Sequence, residues 1–257
     1  MQPDDFRMKV ALFLDVDRTL TKNYIQHVYA GRLGCEPEYL ALEKQFQDKT
    51  LNSIQFGDEI IKLFASKGFN SSKSRELFEY VELQPWAEQL LRLDVDRFLV
   101  SSGPSYYIDK LATEFNIPKS NVCRSDYVFD KTTDLIKSCN AVNEQQKAQF
   151  VRGKLSAYDI SVGIGDNLEF DGPFVSACTI PLMTVPTERY IYVPTFSLAV
   201  TLIEKISQLK RAPSDINLEK MKVGDLLQTM TLKSWSFLIG ATGAVFGFGL
   251  TLGKLWK

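Results

Sequence analysis

The chain has 257 residues, 45% hydrophobic and 24% charged, which is ordinary globular material able to bury a core. Its 30 Lys and Arg nearly balance 31 Asp and Glu; a nucleic-acid binder would want a basic surplus, whereas a small anionic ligand needs only a few cations. One histidine, His27, argues against serine–histidine–aspartate and zinc–histidine chemistry, and four cysteines without a C-x-x-C pair read as reduced thiols in a cytosol-like compartment.

The N-terminus, MQPDDFRMK, is too polar and acidic for a signal peptide. Residues 9–14, KVALFL, form a short apolar run that stops at Asp15 and reads as a buried strand of a parallel sheet. Residues 98–100 and 160–164 are runs of the same kind, and 123–129 and 179–183 are weaker ones. Helical patterns at 85–93, 106–115 and 144–156 separate them. Strands alternating with helices predict an α/β fold with a doubly wound, mostly parallel sheet. The stretch from Thr21 to Gln84 is different. It shows helical periodicity broken near Gly34, Gly57 and Gly68, and predicts an all-helical insertion over the carboxyl ends of the strands. The expected organisation is a core of residues 1–20 and 85–210, a helical cap of residues 21–84, a linker and amphipathic segment over 211–233, and a tail over 234–257.

Asp15 and Asp17 lie two residues apart at the end of the first strand, so on extended chain they project to the same side. Their repulsion calls for a hard divalent cation with oxygen ligands, and magnesium takes one or two carboxylates plus substrate phosphate. Ser101 follows another strand, where its hydroxyl and the amides of Ser102 and Gly103 can hold a phosphate oxygen. Asp166, Asn167 and Asp171 follow a third strand. Lys147 sits in the first turns of the helix entering that strand, and Lys154 lies ~10 Å farther from the rim at ~1.5 Å per residue. Lys147 is therefore the preferred cation.

In this order and spacing, the motifs DVDRTLT (15–21), VSSG (100–103), Lys147 and GDNLEFD (165–171) resemble those of the haloacid dehalogenase-like (HAD) superfamily. The resemblance covers about residues 8 to 190. The insertion after the first motif, and Pro85-Trp86-Ala87 before the second, are similar to the phosphoserine-phosphatase-like branch with its C1 helical cap. The resemblance implies a Rossmann-like core and a Mg2+-dependent phosphatase acting on a small phosphorylated substrate. It implies that Asp15 is the nucleophile and Asp17 the general acid and base. Magnesium would be held by the Asp15 carboxylate, the Asp17 carbonyl and Asp166, and the phosphoryl oxygens by Ser101 and Lys147. Ser102, Arg18 and Thr19 are further expected substrate contacts, with Asn167 and Asp171 in support. Tyr24 stands where phosphoserine enzymes carry a Glu, and no Arg lies near Ile60, which argues against phosphoserine itself. Two alternatives remain open: a phosphotransferase or mutase of the same superfamily, and a membrane-tethered scaffold without turnover.

The C-terminal run over residues 235–253, from Trp235 to Gly253, carries no charge and approaches the ~20 apolar residues of a bilayer span. Glycine pairs four residues apart, Gly243 with Gly247 and Gly249 with Gly253, offer close-approach faces to another helix. The expectation is a cytoplasmic catalytic part anchored to a membrane by this tail.

Overall fold

A computed structural model describes residues 8–193 and 196–207 of the chain. The first strand, β1 (Val10–Leu14), is buried at every position, as its unbroken apolar run requires. Four helices follow: α1 (Ile25–Arg32), α2 (Glu36–Gln47), α3 (Ser53–Ser66) and α4 (Ser71–Leu77). A short α5 (Ala87–Leu91) then leads into β2 (Asp96–Pro104). From there helices and strands alternate through α6 (Ser105–Glu114), β3 (Val122–Phe129), β4 (Ile136–Asn140), α7 (Glu144–Leu155) and β5 (Ile160–Gly165). The remaining elements are α8 (Gly172–Val175), β6 (Ile180–Met183), β7 (Ile191–Tyr192) and α9 (Phe196–Ser207).

The strands form one sheet in the order β4-β3-β2-β1-β5-β6-β7. Its neighbouring pairs are parallel except β3 with β4. This is the doubly wound α/β architecture that the sequence predicts. β1 is central, with Leu14 opposite Leu99 of β2 on one side and Ile164 of β5 on the other. Chain order reverses there, so a crevice opens beyond the carboxyl end of β1, where open α/β sheets bind ligands.

Alternation along β1 sends Leu12 and Leu14 into one core and Ala11 and Phe13 into another. Phe13 stacks on Phe98 of β2 with ring centroids 4.5 Å apart. Burial of a side chain of this size contributes roughly 1.5–3 kcal/mol, so the strand ends carrying the polar residues rest on a rigid platform. Gly163 in β5 permits a close approach: a methyl there would lie 2.9 Å from Cys178 Sγ and 3.1 Å from Val175 Cα of α8.

The helices α1 to α4 are inserted between the first and second strands of the sheet, and Tyr29, Ile60, Phe64 and Phe69 carry the Leu12 core into them. The chain entering and leaving this insertion is paired, with Thr21 bridged to Leu83. The Lys22 amide donates to Glu82 O (2.9 Å) and the Gln84 amide to Leu20 O (2.7 Å). α3 starts at a reciprocal cap between Asn52 and Gln55.

Some elements differ from the sequence expectation. β2 continues through Ser101 to Pro104, with a register shift against β3 between Val100 and Pro104. β4 has no apolar signature in the sequence, since only Ile136 of its residues is buried; it is a polar edge strand that pairs antiparallel with β3. α5 is shorter than the predicted helix over 85–93, and Trp86 precedes it in a left-handed conformation with φ 66°. No helix among the described residues is long and apolar enough to cross a membrane. The linker, the amphipathic stretch and the tail with Trp235 and Gly253 lie outside the described residues.

Candidate active site

Asp15, Lys147, Asp166 and Asp171 come together beyond β1 and β5, and Asp17 lies against Gly103 beside Ser101. Asp15 follows β1 with 4% of its surface exposed, and its amide donates to Ile164 O of β5 at 2.9 Å. Lys147 lies one turn into α7 and is 1% exposed. Its Nζ donates to Asp15 Oδ1 at 2.9 Å and to Asp171 Oδ1 at 2.5 Å. Lys154, seven residues on, lies instead over the Phe150 ring, 5.5 Å from its centroid.

The start of α7 explains where Lys147 sits. Asn143 accepts from the Gln146 amide (2.9 Å), and Gln146 Oε1 accepts from the Asn143 amide (3.0 Å), a reciprocal cap that fixes the first turn. Ser125 of β3, buried, joins two parts of the site that sequence reading did not connect. Its hydroxyl donates to Ser102 O (2.7 Å) and accepts from the Val142 amide (2.9 Å). The loop after Ser101 and the helix of Lys147 are thus tied to one side chain.

Asp171 closes the other side. Its Oδ2 accepts from the amides of Asp166 (3.1 Å) and Asn167 (2.9 Å). A methyl on Gly165 would lie 2.5 Å from Asp171 Cβ, so the turn after β5 needs glycine to admit this carboxylate. Both Asp171 oxygens are engaged, which makes the residue an organiser of Lys147 and of the turn. Asn167 folds the same turn by accepting from the amides of Glu169 and Phe170. That leaves the Asp166 side chain, 9% exposed, facing Arg18 Nε at 3.6 Å.

Asp17 Oδ1 caps α1 by accepting from the Ile25 amide at 2.7 Å. Its Oδ2 faces Gly103: a methyl there would lie 2.4 Å from Oδ2 and 3.0 Å from Ser101 Oγ. Ser101 is 1% exposed, and its Oγ accepts from the Gly103 amide (2.9 Å). Ser102 itself is exposed. Thr19 is fully buried and its hydroxyl has no partner, one of three such buried side-chain atoms among the described residues. Arg18 adopts a left-handed backbone with φ 59°, donates from Nη1 to Tyr24 OH (3.2 Å), and has a half-exposed side chain. His27, on α1, pairs with Glu36 at 2.9 Å and stacks on Tyr39.

Electrostatics follow from burial. The Asp15 carboxyl is held well above its ordinary range by desolvation and by Asp171, against the pull of Lys147. Burial pushes Asp17 up to about 6, opposed by the Ile25 amide, and pushes Asp166 up to about 6 with Asp171 adding to it. Burial pulls Lys147 down, but Asp15 and Asp171 outweigh it and hold the ammonium above its usual value.

One buried ammonium therefore faces an excess of carboxylates. Ligand oxygens of Asp15, Asp166 and Asp171 all lie within 4.8 Å of one another. An all-oxygen, net negative donor set of this kind fits a hard divalent cation such as Mg2+.

No protein-family model and no curated protein matches the sequence. Solved structures do match its fold. A HAD family hydrolase from Salmonella enterica serovar Typhi superposes with TM-score 0.67 at 14% identity, covering 81% of this chain and 75% of that one. A phosphoserine phosphatase holding a phospho-aspartyl intermediate analogue superposes with TM-score 0.57 at 16% identity, covering 88% of this chain and 100% of that one. A probable phosphoserine phosphatase from Vibrio cholerae gives TM-score 0.56 at 16% identity, covering 77% and 66%. The chain has the haloacid dehalogenase-like fold, in its phosphoserine-phosphatase-like form.

Proposed function

We propose that the chain is a Mg2+-dependent phosphatase of small phosphomonoesters that works through an aspartyl-phosphate on Asp15. One observation carries this reading: Lys147, buried, bridges Asp15 and Asp171 at 2.9 and 2.5 Å beside Asp166, while Asp17 Oδ2 abuts Gly103 on the strand that carries Ser101. Nucleophile, acid and phosphoryl-binding groups are then neighbours at one sheet rim.

Asp15 attacks phosphorus through a carboxylate oxygen, and the bond to the leaving alcohol breaks. Asp17, whose carboxyl burial pushes up, is placed to give its proton to the departing oxygen and later take one from water. Lys147 holds Asp15 in place and neutralises charge on the phosphoryl oxygens, and Ser101 with the neighbouring amides binds those oxygens. Arg18, Ser102 and Thr19 are the further contacts proposed on the substrate side. Asp15, Asp166 and the Asp17 carbonyl would hold Mg2+, which when bound would supply positive charge that favours ionised carboxylates and screens the phosphoryl group. In this proposal residues 21–84 act as the cap, and the uncharged run from Trp235 to Gly253 tethers a cytoplasmic catalytic part to a membrane.

The test is release of inorganic phosphate from an aryl phosphate with and without Mg2+, comparing the native protein with Asp15→Asn. Release that needs both Mg2+ and Asp15 supports the reading; equal release from the two proteins ends it. Added alcohol acceptors separate hydrolysis from transfer.

A further inference from the structure

The hydroxyl of Tyr106 is fully buried and has no hydrogen-bond partner. Leaving such a group unpaired costs roughly 1–3 kcal/mol, so a native fold that keeps it calls for a partner from outside the chain. Its place in the fold says which one. Tyr106 stands in the first turn of α6, directly after the strand that carries Ser101 and Gly103. Asp17 Oδ1 accepts from the Ile25 amide at 2.7 Å, and the next residue of α1, Gln26, donates from Nε2 to the Tyr127 hydroxyl at 2.6 Å. Tyr127, and the Tyr106 ring packed against it, therefore lie on the Asp17 side of the site.

The other surroundings are aromatic and uncharged, with the rings of Phe69 and Phe129 at 5.1 and 6.3 Å from that of Tyr106. The Tyr106 ring packs 5.4 Å from that of Tyr127, whose hydroxyl accepts from Gln26 Nε2 of α1 at 2.6 Å. Tyr29 lies on another flank, its ring 5.3 Å away and its own hydroxyl bonded to Ser74 O. Phenols, an amide and ring faces suit an uncharged, hydrogen-bonding group. They do not suit a substrate carboxylate, which Asp17 would repel.

We propose that Tyr106 hydrogen-bonds the alcohol portion of the substrate, and that this portion is a neutral, hydroxyl-bearing chain such as a polyol or sugar. The inference rests on the phosphatase reading, because there Asp17 faces the leaving alcohol. It narrows the substrate to phosphate esters in which a carbon next to the ester carries a free hydroxyl. Amino-acid esters, whose carboxylate Asp17 would repel, are excluded.

The experiment compares glycerol phosphate with propyl phosphate, which has the same carbon count without the extra hydroxyls, on the full chain with Mg2+. Phosphoserine and phosphoethanolamine complete the panel. The native protein should favour glycerol phosphate over propyl phosphate by about tenfold in kcat/KM, the size of one well-placed hydrogen bond. In Tyr106→Phe that ratio should fall to about twofold or less. The same pair of esters is then titrated into Asp15→Asn by thermal shift, with Tyr or Phe at position 106, so that binding is read without turnover. A native protein with no preference, a ratio unmoved by Tyr106→Phe, or phosphoserine or phosphoethanolamine as the best ester overturns the inference. Absence of turnover with the binding preference intact removes the phosphatase reading and leaves the Tyr106 contact standing.

Discussion

Substitution of Gly103 by Ala tests the position of Asp17 with one methyl group. Gly103 is not among the residues with positive φ, so alanine fits the backbone and the effect is steric. The new Cβ would lie 2.4 Å from Asp17 Oδ2, 3.0 Å from Ser101 Oγ and 3.2 Å from Ile108 Cδ1. A comfortable carbon–oxygen contact is about 3.3 Å, so the carboxylate must move by roughly 1 Å. That movement strains the 2.7 Å bond from the Ile25 amide, costing on the order of 1 kcal/mol of stability. A displacement of this size in a catalytic acid costs about 100-fold in rate. The loss should depend on the leaving group. An alkoxide needs the proton from Asp17, whereas a nitrophenolate leaves without it. The assay is kcat/KM, which reports on phosphorylation of Asp15 and not on the later hydrolysis that also uses Asp17, for alkyl and nitrophenyl phosphates in the native and Gly103→Ala proteins, with urea melts to confirm folding. Alkyl phosphate should lose about 100-fold and nitrophenyl phosphate under about tenfold. Equal losses on both esters, or no loss on either, would refute the placement of Asp17 against Gly103 as the acid.

Other perturbations probe the same rim. Lys147→Met strands the buried carboxylates of Asp15 and Asp171 and should destabilise the cation-free protein by about 3–5 kcal/mol in urea at neutral pH, while abolishing phosphate release. Ser125→Ala removes the link between Ser102 and Val142; it should cost about 1–3 kcal/mol in urea unfolding and raise KM. The raised pKa values of Asp17 and Asp166, from 3.8 to about 6, set a pH dependence. A carboxyl whose folded pKa is raised contributes stability that is present below the unfolded value and is lost as pH rises through the folded one. The cation-free protein should therefore weaken between about pH 4 and pH 7, by up to ~3 kcal/mol per carboxyl. Mg2+ competes with those protons, so its melting-temperature increment should be larger at about pH 7.5 than at about pH 5, and smaller in Asp166→Asn. An increment that does not change with pH would count against the Asp166 carboxylate as its ligand.

Much of the site was legible because strand ends are legible. The apolar runs before Asp15, Ser101 and Gly165 stop where the polar residues start, and parallel pairing brings those stops to one rim. Lys147 followed from its place in the first turns of a crossover helix, which starts at the carboxyl ends of the strands, and from helix rise. Contacts made across the sheet could not be read this way. Ser125 looks like an unremarkable strand residue until β3 and α7 are docked, and Gly103 looks like turn chemistry until Asp17 is placed against it. Asp171 was read only as support for the metal ligands; its hold on Lys147 and on two amides depends on the tightness of the turn after Gly165. β4 was missed because a polar edge strand has no apolar signature.

The central claim is a covalent bond between phosphorus and Asp15. An acyl phosphate is reduced by borohydride, which would turn Asp15 into homoserine. The native protein, mixed with a turned-over phosphate ester and Mg2+, is quenched with borohydride and digested, and the peptide carrying residue 15 is read by mass spectrometry. Homoserine at position 15 that requires both ester and Mg2+ is the expected result. Unmodified Asp15 during active phosphate release, or homoserine at Asp17 or Asp166 instead, would contradict it.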